Sequence, residues 1–351
     1  YPTFNLNDPR KLTGMYTDEE IKDMSDEEYR NNLYSLWTNY CVSESYEPGS
    51  TFKPVTVASA LEEGVVKDGD TYVCKGFETV ADYKLKCHVF STIGSHGSLT
   101  VEQALMNSCN PYMIHLALEM GNSRFAYYQS LFGFGKITGI DLPGETTGIV
   151  YGDRMTTIDA ACNSFGQTIN VNMMQMMAAY CSIINGGMLY QPHIVKRIES
   201  ANGEVVKEYK ANLVRQTITA STSKLLRRYL KNTVEEGTAK KAGVTGYSVA
   251  GKTGTAQKGD RKDNKWIISF IGHAPAENPK FAIYVVIDEP YGTTGTSGSS
   301  ADVLTLTHNI LEKLLPYMNV YKDASDEYED TSSSPDELTV DGIPAGTASS
   351  N

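Results

Sequence analysis

The sequence predicts an α+β fold, an antiparallel sheet flanked by helices and joined to an all-helical part. Three observations predict it. Helical spacing dominates the middle of the chain. Strand-like runs split by turns cluster late, from residue 189 onward. A last apolar-periodic stretch, SADVLTLTHNILEKLLPYM, reads as a closing helix. The chain has 351 residues, 40% hydrophobic and 21% charged. That is ordinary globular composition, with length for one large domain or two smaller ones.

Each element has its own reason. Residues 1–45 are polar and broken by Pro2, Pro9 and Gly14, but TDEEIKDMSDEEYRNNLYSLW has helical spacing, with Ser25 and Glu28 as a capping box. TFKPVTVASALEEG predicts a helix ending at Gly64, with Pro54 in the first turn where a missing N–H matters least. Residues 65–98 hold Gly69, Gly76, Gly94 and Gly97 and read as a loop-rich insert. LTVEQALMNSCNPYMIHLALEMG contains two helical stretches interrupted at Asn110-Pro111. VNMMQMMAAYCSIINGG is a helix closed by Gly186-Gly187, its methionines expected in the core. HIVKRIES and VVKEYK alternate as strands. STSKLLRRYLKNTVEEG, strongly cationic, reads as a solvated surface helix. YSVAGKTGTAQ, KWIISFIGHAP and KFAIYVVIDEP are three consecutive strands. Residues 323–351, rich in Ser, Asp and Glu, are expected to be a disordered acidic tail.

The net charge of -11 argues against nucleic-acid binding, which needs basic patches to neutralise phosphates. No run of 18 or more apolar residues occurs, so none of this sequence reads as a membrane span. The opening YPTFNLNDPR reads like the interior of something longer, and a processed or truncated piece is expected. The six cysteines, Cys41, Cys74, Cys87, Cys109, Cys162 and Cys181, are scattered, and a chain this long needs no disulfide framework to be stable. Most are expected to be buried thiols, Cys109 among them, packed under its loop rather than catalytic.

Three short patterns carry serine acyl-transfer chemistry: Ser-x-x-Lys, Ser-x-Asn or Ser-x-Asp, and Lys-Thr-Gly. Each alone is weak. Ser-x-x-Lys occurs twice, at Ser50–Lys53 and Ser221–Lys224. Ser-x-Asn occurs three times, starting at Ser108, Ser200 and Ser349, and Lys252-Thr253-Gly254 occurs once. A nucleophile needs a fixed helix start, where backbone N–H groups favour developing negative charge. Ser50 follows a Pro-Gly turn and precedes an apolar helix, and i, i+3 spacing puts Lys53 on its face. Ser221 opens the cationic helix, Ser200 lies in a hairpin-like turn, and Ser349 lies in the tail. Ser108 lies between two helices, where a loop can project side chains into a cleft. On a strand, Thr253 and Thr255 share one face and Lys252 and Gly254 the other, with Gly254 allowing close approach of a ligand backbone.

The ordered set EPGSTFK, NSCN and GKTGTAQ resembles a penicillin-binding protein transpeptidase domain. YEPGSTFKP, SHGSLTVEQALMNSCNPYM, FGFGKITGIDLPGE and SFIGHAPAENPKFAIYVVIDEP sharpen the resemblance to class B, the monofunctional high-molecular-mass group, of Gram-positive elongation, division or sporulation type. It covers roughly residues 40–315. The resemblance implies the transpeptidase fold over residues 1–322, with the membrane anchor and pedestal of such proteins absent from this sequence. It implies a D,D-transpeptidase on the outer face of the cytoplasmic membrane that cross-links peptidoglycan stem peptides, is acylated by β-lactams and works beside a membrane glycosyltransferase. It implies Ser50 as nucleophile, Lys53 as its base and Ser108 as proton relay. Asn110 orients Lys53 and the substrate amide. Lys252, Thr253 and Thr255 would receive the terminal carboxylate, with Gly254 between them, and the N–H groups of Ser50 and Thr255 the oxyanion. A serine β-lactamase and a β-lactam-binding sensor remain as alternatives. The first would need a Glu-x-x-Leu-Asn pattern, and Glu145 in LPGETTG lacks the companion Asn.

That chemistry requires no cofactor. A structural zinc is nevertheless one reading of Cys74, Asp82, Cys87 and His88, which offer two thiolates, a carboxylate and an imidazole. His96 is an alternative ligand. A Cys74–Cys87 disulfide and a plain pair of buried thiols stand beside it.

Overall fold

The computed structural model describes residues 4–12, 16–259, 265–290 and 299–324. Short helices α1 (Asp18–Asp23), α2 (Asp26–Trp37) and α3 (Tyr40–Ser43) come first. Thr17 with Glu20, and Ser25 with Glu28, form full capping boxes at α1 and α2. A 3-10 turn over Gly49–Phe52 then runs straight into α4 (Lys53–Glu63), which Gly64 closes in the left-handed conformation. Every residue of α4 from Lys53 to Ala60 is buried. A helix without a polar face belongs at the centre of a domain, and α4 is the central helix of this one.

Residues 65–98 are more regular than a loop-rich insert. They hold strands β1 (Thr71–Cys74), β2 (Phe77–Val80) and β3 (Tyr83–Lys86), and lead into β4 (Gly97–Thr100). β1 pairs antiparallel with β4, and β2 with β3. Strands of four residues show only two positions per face, too few for alternation to stand out among glycines. Helices α5 (Val101–Met106), α6 (Asn110–Met120), α7 (Asn122–Leu131), α8 (Thr157–Asn163) and α9 (Met173–Ile184) come next. With α4 they share one core in which Val55, Leu105, Met113, Phe125, Met176 and Ile183 are buried.

Two small antiparallel pairs succeed them, β5 (Met188–Gln191) with β8 (Asn212–Gln216) and β6 (Arg197–Glu199) with β7 (Val205–Glu208). Then come α10 (Ala220–Glu235), β9 (Ala250–Lys258), β10 (Lys265–Ala274), β11 (Phe281–Asp288) and α11 (Ala301–Tyr317). The last three strands form one antiparallel sheet in the order β11-β10-β9. Alternation along β10 divides its side chains. Ile268 and Phe270 pack with Val303, Leu304 and Leu311 of α11. Ile271 joins the helical core, and His273 accepts or donates a 2.8 Å bond with Tyr180 of α9. Helices thus cover both faces of the sheet, and β9 is left as an edge.

Two further expectations change. α10 is not a solvated helix: Leu226, Tyr229, Leu230 and Val234 are buried. Arg228 meets Asp68 at 2.7 Å and Glu102 at 3.4 Å, while Arg227 donates to the Ile184 carbonyl of α9 at 3.0 Å. The acidic tail does not begin at residue 323. Asp323 accepts a 2.7 Å bond from the Ser248 N–H, and the Ala324 N–H donates to the Gly246 carbonyl. Residues 325–351 lie outside the described residues.

Candidate active site

Glu47-Pro48-Gly49 sets the entry to α4. The Gly49 N–H donates to the Gly166 carbonyl at 2.9 Å, and the Glu47 carboxylate accepts from the Thr168 N–H at 2.8 Å. Gly49 has φ +57°, and a Cβ there would lie 2.6 Å from the Thr255 carbonyl oxygen of β9. Only glycine fits this turn against the edge strand. The 3-10 turn also aligns the first motif. Three residues per turn place i and i+3 one above the other, so Ser50 and Lys53 are stacked along the helix mouth. Ser50 lies inside this turn and is not the cap of α4. That position is Phe52, which has no side-chain cap bond.

The Lys53 ammonium is fully buried. Its Nζ donates to the Ser108 carbonyl at 2.6 Å, the Ser108 Oγ at 2.9 Å and the Asn110 Oδ1 at 2.7 Å. Three donors meet three acceptors, so the side chain has one position. Burial lowers its pKa to about 8, against a weaker opposing pull from Cys87 and Cys109. The acceptors come from the break between α5 and α6. Ser108 holds φ +55° there, in the region that non-glycine residues avoid. Asn110 is fixed from the far side, its Nδ2 donating to the Lys86 carbonyl at 3.2 Å.

β9 forms the opposite wall. Lys252 is fully buried, and its Nζ donates to the Thr253 carbonyl and hydroxyl at 3.2 and 3.3 Å. Burial pushes its pKa well below the lysine range, and the neighbouring Lys53 charge adds to this. A Cβ on Gly254 would meet Ser269 Oγ at 2.5 Å, and the Pro48 carbonyl and Thr51 Cγ2 at 2.9 Å each. The Gly254 face therefore lies flat against the 3-10 turn. Between the walls is a cavity of about 340 Å³ lined by Ser50, Ser108, Asn110, Thr253 and Thr255. The residues expected from three distant motifs thus meet at one cavity, with the two lysines beneath it.

The competing matches stay apart from it. Ser221 and Lys224 are exposed on α10. Ser200 and Asn202 sit in the exposed β6–β7 turn, and Ser349 lies outside the described residues. Glu145 is spent locally, accepting from the Thr138 N–H and Oγ1 and the Gly139 N–H. The cavity also has lining residues that sequence reasoning missed: His88, Phe165, Gln167, Thr238 and Trp266. For Gln167 a signal existed in the turn Gly166-Gln167-Thr168. For Thr238 and Trp266 none did, because only the fold brings them in.

The expected metal set is rearranged. Asp82 lies in the exposed turn between β2 and β3. His88 turns toward the cavity, its Nε2 2.9 Å from the Asn107 carbonyl. Cys87 is extended, with ψ 152°, and His88 starts a 3-10 turn, its ring centroid 5.4 Å from that of His96. Cys74 and Cys87 do come together, but with His96 and Cys109. Cys41, Cys74, Cys87, Cys109, Cys162 and Cys181 are all free thiols, so no Cys74–Cys87 disulfide forms.

The profile of the penicillin binding protein transpeptidase domain matches residues 16–312. Stage V sporulation protein D of Bacillus subtilis is 41% identical over 288 residues, which are 80% of this chain and 44% of that protein. The peptidoglycan D,D-transpeptidase FtsI of Escherichia coli is 32% identical over 292 residues, 82% of this chain and 46% of that protein. The chain thus spans about half the length of these curated relatives. A crystal structure of penicillin-binding protein 3 from Mycobacterium tuberculosis, complexed with aztreonam, superposes with a TM-score of 0.73 at 29% identity, over 83% of this chain and 66% of that one.

Proposed function

Because the chain belongs to the penicillin-binding protein transpeptidase family, in its class B group, we propose that it is a D,D-transpeptidase that cross-links peptidoglycan stem peptides through an acyl-enzyme on Ser50. One observation carries the reading: a fully buried Lys53, one helical turn from Ser50, donates to both Ser108 Oγ and Asn110 Oδ1.

In this reading Lys53, neutral in the reactive state, takes the Ser50 proton as Oγ attacks the D-Ala-D-Ala carbonyl. A pKa near 8 makes the neutral form accessible at neutral pH, where an ordinary lysine of about 10.4 would not be. The N–H groups of Ser50 and Thr255 bind the oxyanion. Ser108 passes a proton to the departing D-Ala amine as the peptide bond breaks. An acceptor amine then attacks the ester, its proton returns through the same relay, and Ser50 is released. Lys252, Thr253 and Thr255 receive the terminal carboxylate of the donor. The chemistry is assigned to side chains and backbone N–H groups alone. β-Lactams acylate the same serine. The setting is the outer face of the cytoplasmic membrane, beside a membrane glycosyltransferase; among the described residues no helix is long and apolar enough to cross a membrane.

Transpeptidation is favoured over β-lactam hydrolysis because no carboxylate lines the Ser50 cavity among the described residues, so none is placed to activate water on the acyl-enzyme. The test supplies a stem peptide ending in D-Ala-D-Ala together with an acceptor amine. Cross-linked product and free D-Ala are expected, and both vanish in Ser50→Ala. Rapid repeated turnover of a β-lactam without cross-linking contradicts this reading in favour of a hydrolase. Covalent β-lactam binding without any peptide processing contradicts it in favour of a sensor.

A further inference from the structure

The hydroxyl of Tyr284 on β11 has no part in the chemistry assigned above, yet it touches the nucleophile turn at both ends. Tyr46, just before the turn, donates its O–H to Tyr284 Oη at 2.8 Å. Thr51, the residue after Ser50, has its Oγ1 3.3 Å from the same oxygen. Between Tyr46 and Thr51 lie Glu47, Pro48, Gly49 and Ser50, so one phenol spans the whole turn. Ser269 of β10 supplies a third hydroxyl within hydrogen-bonding reach. In the register of β10 and β11, Tyr284 stands opposite Ile271, which places Ser269 diagonally beside it on the same face. Tyr46, Thr51 and Ser269 are all buried.

Donor accounting fixes the direction of every bond, because a hydroxyl carries one proton. The Thr51 proton goes to the Pro48 carbonyl at 2.7 Å, which cannot donate in return. Thr51 Oγ1 therefore accepts from Tyr284. Tyr284, its own proton spent, accepts from Tyr46 and Ser269. The series runs from Tyr46 to Tyr284 to Thr51 to Pro48, and it ends at the wall of the cavity. A Cβ on Gly254 would lie 2.9 Å from both the Pro48 carbonyl oxygen and Thr51 Cγ2, and 2.5 Å from Ser269 Oγ. The linked residues thus form the surface on which β9 rests, and that contact sets how far the Ser50 N–H stands from the Thr255 N–H. Tyr46 is anchored in turn, pairing with Val171 through backbone bonds of 3.1 and 3.0 Å. Burial raises the pKa of both Tyr46 and Tyr284, so each phenol keeps its proton at neutral pH.

We propose that Tyr284 is a positioning residue for acyl transfer: its hydroxyl holds the Ser50 turn against β9 through Thr51 and Tyr46, and so keeps Ser50 Oγ and the two oxyanion N–H groups in register. It touches neither substrate nor the reacting atoms. Tyr284→Phe would keep the ring and leave the Tyr46 proton and the Thr51 oxygen without their shared partner. Packing alone would then join the turn to β11, and small displacements of a reacting atom slow a reaction strongly. The inference rests on the reading of Ser50 as the nucleophile.

The test measures acylation of the whole chain by a chromogenic penicillin over a range of drug concentrations, which separates the non-covalent dissociation constant from the acylation rate constant. In folded Tyr284→Phe the rate constant is expected to fall about three- to tenfold, the size of one neutral hydrogen bond. The dissociation constant should stay within about a factor of two, a split that a loss of stability alone would not produce. Thr51→Val should slow the same step, and adding Tyr284→Phe to it should slow it no further, since both remove one bond. The pH at which the rate rises should stay near 8, because the Lys53 surroundings are unchanged. Tyr40→Phe removes a phenol bonded instead to Asp288, at 3.0 Å, and should leave the rate constant within about twofold. An unchanged rate constant in Tyr284→Phe, a loss confined to binding, multiplying effects in the double variant, or a shifted pH midpoint would each overturn the inference. Where Tyr284→Phe does not fold, Thr51→Val reads the same bond from its other end, and an unchanged rate constant there overturns it. A wild-type chain that is never acylated at Ser50 overturns the nucleophile reading and this inference with it. An acylated wild type matched in rate by Tyr284→Phe overturns only this inference.

Discussion

Two serines in this chain stand three residues before a lysine, and the two pairs share little else. Ser50 sits in a 3-10 turn against the edge strand, and Lys53 is fully buried with three acceptors on its Nζ. Ser221 and Lys224 lie exposed in the first turns of α10. Ser221 Oγ is 2.9 Å from Thr219 Oγ1, in a cap network that also includes Glu62. The spacing is the same, and the surroundings decide the chemistry. A lysine becomes a base when burial disfavours its charge and neighbours aim it. A lysine in water does neither.

The comparison breaks most readily at Lys53 itself. Lys53→Ala should slow β-lactam acylation by about 10²–10⁴-fold, the usual contribution of a positioned base. Lys224→Ala should leave the rate within a factor of about two, consistent with the small effects of exposed substitutions. Stopped-flow acylation with a chromogenic penicillin reads both. If the two variants slowed alike, burial would not be what separates the pairs.

Next in size is Asn110→Ala, which removes one of the three acceptors on Lys53. A hydrogen bond to a charged group contributes about 1.5–3 kcal/mol, so acylation should fall roughly ten- to a hundredfold. The wild-type pH profile sharpens the same point. Lys53 must be neutral to accept the proton, and burial holds its pKa near 8. The acylation rate should therefore climb as pH rises through about 8 and level off above it. A rate already flat between pH 6 and pH 9 would remove Lys53 from the base role.

Gly254→Ala probes the wall rather than the base. The new methyl would press on Ser269 Oγ, the Pro48 carbonyl and Thr51. Overpacking of this kind costs about 1–3 kcal/mol, to be seen as a lower melting temperature together with slower acylation. The smallest effect is expected at Ser221→Ala. Thr219 is the N-cap of α10 and its Oγ1 accepts from the Thr222 N–H, so that cap survives. Stability should stay within about 0.5 kcal/mol in a denaturant melt.

The same contrast explains what was legible in the sequence. The three long late strands, the closing helix, and the Ser50, Ser108 and Lys252 motifs were, because long periodic segments and fixed short spacings are local properties. α10 misled because its Arg and Lys residues are conspicuous, while its buried stripe of Leu226, Tyr229 and Leu230 follows helical spacing between them. The cysteines misled for another reason. Cys87 and His88 are neighbours in sequence, but Cys87 sits in the sulfur cluster while His88, at the start of a 3-10 turn, lines the cavity. Cys109 offered no local partner, since its partners arrive from β1 and from the approach to β4. Thr238 and Trp266 reach the cavity only through tertiary packing.

The most direct test is to label the chain with a β-lactam, digest it and map the adduct by mass spectrometry, with Ser50→Ala and Ser221→Ala alongside. The account predicts the label on Ser50, full labelling in Ser221→Ala, and none in a Ser50→Ala protein whose circular dichroism matches the wild type. A label on any other residue, or one that persists in folded Ser50→Ala, would contradict it.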